Sequence, residues 1–211
     1  MKATSLLLLA GSALLISSAP LYAGPVVFQQ SFDSLTAQLS VTSVGNFTAI
    51  NGTNVDIVGP GDGYGALCAA PESGNCVDLG GSNGNPFGQL QSTPITLGPG
   101  TYNLSFDLIG SGRGITTTTD VSLGSLYSDV FTLASGDTTS GIVNTTFTVG
   151  STETVTLDFD LAASDNGNVG SVLDNVEIST VTPEPSSLML LGTGFVALAG
   201  LARRKIAGRI L

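Results

Sequence analysis

Apolar and polar residues alternate with a period of two through much of the middle of the chain. Across 101–109 the apolar set is Tyr102, Leu104, Phe106 and Leu108, and across 154–161 it is Val155, Leu157, Phe159 and Leu161. Successive side chains of a strand point to opposite faces, so both segments read as half-buried antiparallel strands. Weaker patterns at 26–32, 38–44, 54–58, 77–79, 94–97, 115–123, 130–133, 142–149 and 172–178 read as further strands. Turn signals separate them, among them Asn51-Gly52, Gly59-Pro60-Gly61-Asp62-Gly63, Gly98-Pro99-Gly100, Ser135-Gly136-Asp137 and Asn166-Gly167. Helical periodicity and internal repeats are both missing from 26–180. Short strands joined by glycine-rich turns predict an all-β, antiparallel β-sandwich of jelly-roll type over residues 24–181, with 59–86 as a long loop region.

The two ends break this pattern. Residues 1–23 have a positive start at Lys2, a short apolar run over 6–16 and a small-residue exit to Ala23, the layout of a secretory signal peptide. Cleavage after Ala23 is expected, because a cut after Ala19 would put Pro20 at the scissile bond; an uncleaved N-terminal anchor is the alternative. The C-terminus, 182–211, has three parts in order: Pro183-Glu184-Pro185-Ser186-Ser187, the apolar run 188–202, and Arg203-Arg204-Lys205. The prolines hold Glu184 extended, as a protease groove requires. Ser186 or Ser187 can cap the helix that follows. Fifteen helical residues span about 22 Å, short of a hydrocarbon layer of about 30 Å, and Gly192, Gly194 and Gly200 weaken the run. The basic cluster stops transfer and keeps that end cytoplasmic. A plain, permanent tail anchor is the alternative.

Pro183-Glu184-Pro185-Ser186-Ser187-Leu188, a glycine-interrupted apolar helix and Ala202-Arg203-Arg204-Lys205 closely resemble the PEP-CTERM sorting domain of exported bacterial proteins. The resemblance implies recognition by an exosortase, a membrane-embedded cysteine transpeptidase. It further implies a transient inner-membrane intermediate, removal of the helix, and delivery to the cell surface or an exopolysaccharide matrix. The tail 206–211 is longer and more apolar than the short basic ending usual in that family.

Charge narrows the choice of partners. Acidic residues outnumber basic ones 16 to 6, and between 24 and 181 a single cation, Arg113, stands against fifteen carboxylates, a formal charge of −14. Such a surface repels phosphate backbones, which excludes nucleic acid. The two cysteines, Cys68 and Cys76, enclose seven residues, and in an exported chain the pair is most simply a disulfide closing a surface loop. A zinc site is the poorer reading, since the chain has no histidine and two thiolates do not complete a tetrahedral shell.

The same lack of histidine excludes Ser/His/Asp and Cys/His catalysis. Asp158 and Asp160 share one face of a strand about 7 Å apart, within the range of an inverting glycosidase, but a solvated strand face is the expected reading of the pair. The segment from Leu97 to Leu108 and the late segment Gly170-Ser171-Val172-Leu173-Asp174-Asn175-Val176 resemble galactose-binding-like jelly rolls of surface proteins and carbohydrate-binding modules. That resemblance implies a structural Ca²⁺ between the first and last strands, at Asp174 with Asp33 as partner; the alternative is that Asp174-Asn175 is an ordinary strand-entry pair, and no other cofactor is expected. For sugar stacking the chain has no tryptophan; Tyr102 alternates with core residues, which leaves Tyr64 in Asp62-Gly63-Tyr64-Gly65 as the candidate platform. The expectation is a non-enzymatic exported surface or matrix protein with a structural or adhesive role. The alternative is a carbohydrate-binding module for exopolysaccharide, with a carboxylate-dependent glycosidase third.

Overall fold

The alternation across 101–109 becomes a strand over Gly100–Ile109, in which Tyr102, Leu104, Phe106 and Leu108 are buried and the residues between them half-buried. This is how the chain is built throughout the computed structural model, which describes residues 22–60, 64, 67–68, 74–83, 87–164, 168–182 and 193. In chain order the strands are β1 Tyr22–Gln30, β2 Gln38–Val41, β3 Ser43–Val44, β4 Phe47–Ala49, β5 Val55–Val58, β6 Cys76–Asp78, β7 Gln89–Ser92 and β8 Ile95–Leu97. They continue with β9 Gly100–Ile109, β10 Thr117–Leu123, β11 Tyr127–Leu133, β12 Gly141–Val149, β13 Glu153–Val155, β14 Leu157–Ser164 and β15 Val172–Thr182. Residues Ala23–Thr182 form a compact unit.

Two antiparallel sheets face each other. The first runs β12-β9-β15-β6-β5-β2 with β1 alongside β15, the second β11-β10-β14-β7-β4-β3, and β13 pairs with β8 in a separate ribbon. Aromatic rings join the sheets across the core. Phe106 of β9 meets Phe159 of β14 at 5.2 Å and Phe131 of β11 at 5.8 Å, both edge to face. Phe28 of β1 meets Phe47 of β4 at 5.6 Å. Such pairs add about 0.5–1.5 kcal/mol each beyond the area they bury. The fold is therefore an all-β antiparallel sandwich, as the alternation predicts.

Three details depart from the sequence reading. The expected strand 154–161 is broken at Thr156: Glu153–Val155 pairs with β8, whereas Leu157–Ser164 enters the second sheet between β10 and β7. β4 and β7 were not expected, because β4 has three residues and β7 presents a single apolar side chain, Leu90, to the core. Tyr22 and Ala23, assigned to the signal peptide, begin β1. The rest of the expected signal peptide, Pro183, Glu184 and Pro185, the apolar run 188–202 except for Thr193, and Arg203, Arg204 and Lys205 lie outside the described residues. Among the described residues no helix is long and apolar enough to cross a membrane.

The outer face of the first sheet is unusual. At one end Val58, Cys76, Ile109 and Val172 form a second apolar cluster with Leu67 and Cys68. Cys68 and Cys76 are joined by a disulfide with a Cα–Cα distance of 5.7 Å. Beside it, Asp56 and Asp78 are cross-strand partners on β5 and β6, and both are buried. Asp56 accepts the amide of Ser40 at 2.6 Å and the amide and hydroxyl of Ser82. Asp78 accepts the amides of Gly80 and Gly170, both at 2.8 Å, and pairs with the Arg113 guanidinium. The two glycines allow this: a Cβ on Gly170 would lie 2.1 Å from the nitrogen of Gly80, so no side chain fits where the backbones converge on the carboxylate.

Burial raises the pKa of Asp78 to about 7, with Asp56 adding in the same direction and Arg113 and the two glycine amides opposing. A carboxyl whose folded pKa lies above its unfolded value, 3.8, stabilises the fold fully below pH 3.8 and loses that contribution as pH rises through 7. The melting temperature of the domain is thus expected to fall between pH 5 and pH 8, measured by calorimetry. In Asp78→Asn that fall should shrink; an unchanged profile would count against the assignment.

Candidate functional site

The site forms where β15 departs from regular pairing. Asp174 is opposite Asp107 and Glu177 is opposite Ser105, so three steps along β15 match two along β9 and one residue is extra. Asn175 takes up that residue at φ 52°. The left-handed region is accessible to asparagine at low cost among non-glycine residues. Bulges of this kind re-aim side chains at sheet positions near function. Here Asn175 turns its carboxamide onto the Asp107 carboxylate, with Nδ2 donating at 2.9 Å, while its backbone amide donates to Asp174 Oδ1 at 2.7 Å.

Around the bulge, β1, β9 and β15 enclose an open groove of about 320 Å³ lined by Gln29, Gln30, Ser31, Ser105, Asp107, Asn175, Val176 and Glu177. Gln30 is fixed there, its Oε1 accepting the amide of Asn46 at 2.8 Å and its Nε2 donating to the Ser31 carbonyl at 2.6 Å. The lining supplies carboxamides, carboxylates and hydroxyls, and no aromatic ring. Those groups can exchange hydrogen bonds with a neutral, hydroxyl-rich ligand, while the two carboxylates disfavour an anionic one.

Asp174 itself is fully buried, and its Oδ2 has no hydrogen-bond partner. Burial raises its pKa to about 6, the amides of Asn175 and Phe32 oppose that, and the neighbouring Asp33 and Asp107 add to it. Asp33 therefore lies near Asp174. Asp33 holds the Ser31 hydroxyl at 2.6 Å. A buried carboxylate oxygen without a donor suits a hard cation with oxygen ligands. Among the described residues no group of three or more acidic or thiol side chains converges on one point, so a cation here would draw on backbone carbonyls and water as well.

The other candidate residues lie elsewhere. Tyr64 is 44% exposed and does not line the groove, and its neighbours Asp62, Gly63 and Gly65 are outside the described residues. Tyr102 is buried, stacks on Phe147 at 5.6 Å and donates its hydroxyl to the Gly98 carbonyl at 2.9 Å, a core residue as its position in the alternation implies. Asp158 and Asp160 sit on the outer face of the second sheet. Asp158 is occupied by Gln91 Nε2 at 2.8 Å and Thr156 Oγ1 at 2.9 Å. Burial raises the pKa of Asp160, and Asp158 and the cross-strand neighbour Asp120 raise it further. Neither lines the groove. The groove residues Gln29, Gln30, Ser31, Ser105, Asp107, Asn175 and Glu177 were not singled out by sequence; the one signal was the polar pair Asp174-Asn175 inside an apolar strand.

Fold and site together define a disulfide-bonded, acidic β-sandwich with a polar groove on one outer face. Its chain carries at the C-terminus a PEP-CTERM protein-sorting motif, matched over residues 181–205. No curated protein matches the chain. Among solved structures it is similar to the K3 cleaved adhesin domain of Lys-gingipain from Porphyromonas gingivalis, at 16% identity and TM-score 0.46 over 74% of this chain and 100% of that one. It is also similar to the N-terminal tandem CBM22 domains of Paenibacillus barcinonensis Xyn10C, at 13% identity and TM-score 0.44 over 80% and 49% of the two chains. For the second N-terminal cellulose-binding domain of Cellulomonas fimi β-1,4-glucanase C the values are 18% identity, TM-score 0.40 and 80% and 99% coverage.

Proposed function

We propose that the chain is a non-enzymatic exported protein that exosortase sorts through the inner membrane to the cell surface or extracellular matrix, where the sandwich has a structural or adhesive role. The observation that carries this reading is the sorting motif at residues 181–205, which implies an exported, exosortase-sorted protein. The Cys68–Cys76 disulfide supports an oxidising compartment. In the native host, Pro183→Ala combined with Pro185→Ala is expected to accumulate as a longer, membrane-bound precursor, read by immunoblot of cell fractions. Normal processing and release of that variant would contradict the proposal.

The groove favours one refinement, contact with an extracellular polysaccharide. Its carboxamides, carboxylates and hydroxyls suit a neutral sugar chain. Binding on a glycan array should be confined to neutral glycans and lost in Asn175→Ala with Glu177→Ala. Loss in Tyr64→Ala instead would move the site to the loop, and a silent array would leave the structural role alone. A structural Ca²⁺ at Asp174 and Asp33 is a further part of the proposal, supported by the partnerless Oδ2 of Asp174. Calcium added to EDTA-treated protein at a hundredfold excess over Kd should raise the melting temperature by about 5–10 °C, and not at all in Asp174→Asn. A wild-type protein indifferent to calcium would remove the ion from the account.

A further inference from the structure

A strand at the edge of a sheet offers a row of backbone groups to any other chain unless something blunts it. Most edges of this sandwich are blunted. β3 has only two residues, and β2 is short and loses register around Ser40, which lies at φ 57°. β1 carries Pro25, and the Asn46 carboxamide donates to its Gln29 carbonyl at 3.0 Å. β11 carries Asp129, which alternates with Phe131 and Leu133 and so sets an inward charge at the edge. β12 has none of these devices. It is nine residues long, in unbroken register with β9, and contains no proline and no charged residue. Among the described residues it pairs with β9 alone.

The backbone of β12 also shows which groups face outward. The amide of Ile142 donates to the Thr139 carbonyl at 3.2 Å, so it points away from β9. Inward and outward pairs alternate along an antiparallel strand, which directs the amides and carbonyls of Asn144, Thr146 and Thr148 to the free side as well. We propose that this edge pairs with β12 of a second copy, antiparallel about a two-fold axis at Thr145, so that two domains share one continuous sheet. The pairing depends on the sandwich alone and stands whether or not the sorting reading holds.

Register and charge both select a second copy as the partner. Thr145 is the midpoint of Gly141–Val149, so an axis there overlaps the whole strand with itself. It sets Asn144 opposite Thr146 and Ile142 opposite Thr148, outward groups against outward groups, as a ladder requires. On the core face it sets Val143 of one copy against Phe147 of the other, at a pair without hydrogen bonds, where side chains lie closest. Val143 is half-buried and borders the core, so the second copy would complete its cover. The domain carries a formal charge of −14 between 24 and 181. A basic partner would gain more on the faces that bear carboxylates, whereas an equally acidic domain docks best along an edge that has none.

The test is site-specific crosslinking of the full chain. Cys68 and Cys76 are bonded to each other and the sequence has no other cysteine, so one introduced thiol reports alone. In native-host cells treated with a thiol oxidant, Thr145→Cys is expected to give a disulfide-linked dimer on a non-reducing gel, because the axis sets the two thiols opposite each other at a separation a disulfide can span. Leu39→Cys, 43% exposed on the β2 edge, should stay monomeric. Sedimentation of the purified full chain in detergent measures the strength of the contact. Thr146→Pro removes an outward amide and spares the ladder to β9, and it should raise the dimer dissociation constant about tenfold or more. Thr146→Glu, which adds a carboxylate at the seam without constraining the backbone, should do the same. A Thr145→Cys chain that stays monomeric, an adduct that mass spectrometry assigns to a different protein, or equal crosslinking by Leu39→Cys would overturn the pairing. So would a dimer that both Thr146 variants leave at its wild-type strength, as a contact through the apolar run 188–202 would be.

Discussion

Replacing Arg113 with alanine is expected to destabilise the domain by about 3–5 kcal/mol at pH 8, the cost of leaving a buried carboxylate without its cation. Asp78 is 1% exposed, and Arg113 is the sole basic residue between 24 and 181, so no second cation can replace it there. The gross attraction of the pair does not set this figure. The wild-type pair already carries a penalty, because Arg113 Nε is buried and has no partner. What the substitution adds is the full desolvation of an ionised Asp78 held by two glycine amides. Two consequences separate this from loss of packing. The cost should shrink at pH 5, where Asp78 is protonated in the folded state. Adding Asp78→Asn to Arg113→Ala should recover much of the loss. Urea denaturation of the four chains at both pH values measures each term. A cost under about 1 kcal/mol at pH 8, or no recovery in the double variant, would refute the account of this network.

The second large effect belongs to the core. Phe106→Ala is expected to cost about 3–5 kcal/mol, since its ring is fully buried and meets Phe159, Phe131 and Tyr127 edge to face. Phe106→Leu, which retains most of the volume, should cost less than about 2 kcal/mol. Val130→Ala, on the second sheet and 60% exposed, should stay within about 0.5 kcal/mol of wild type. Global stability of a domain is about 5–15 kcal/mol, so Phe106→Ala alone removes a large part of it. A small loss at Phe106 would mean that the two sheets do not interlock through this ring.

These residues also show what the sequence could disclose. Phe106 and Phe159 were legible because the period-two pattern is unbroken around them, and burial followed from it. The disulfide was legible from two cysteines in an exported chain. Arg113 stood out by charge, yet its partner did not, since Asp78 lies 35 residues away on a strand with little pattern. The Thr156 break was hidden because alternation continues through it while the pairing partner changes. The groove was least visible. It depends on a bulge at Asn175, on the return of β1 to β15, and on Gln29 and Gln30, which are ordinary residues in sequence and are placed by contacts more than 140 positions apart. Asp174 and Asp33 were singled out through a family resemblance alone, since no pattern in the sequence marks them.

The central claim is that residues 181–205 are an address removed in transit, and the mature ends of the protein test it most directly. Between residues 3 and 204 the chain has no lysine, so an amine-reactive label on the surface-fraction protein marks the mature N-terminus alone. Mass spectrometry of the labelled protein is predicted to find one modified amine, on Gly24, and a C-terminal peptide that ends before the apolar run 188–202. A surface protein that retains Met1, or that still ends in Arg209-Ile210-Leu211, would contradict it.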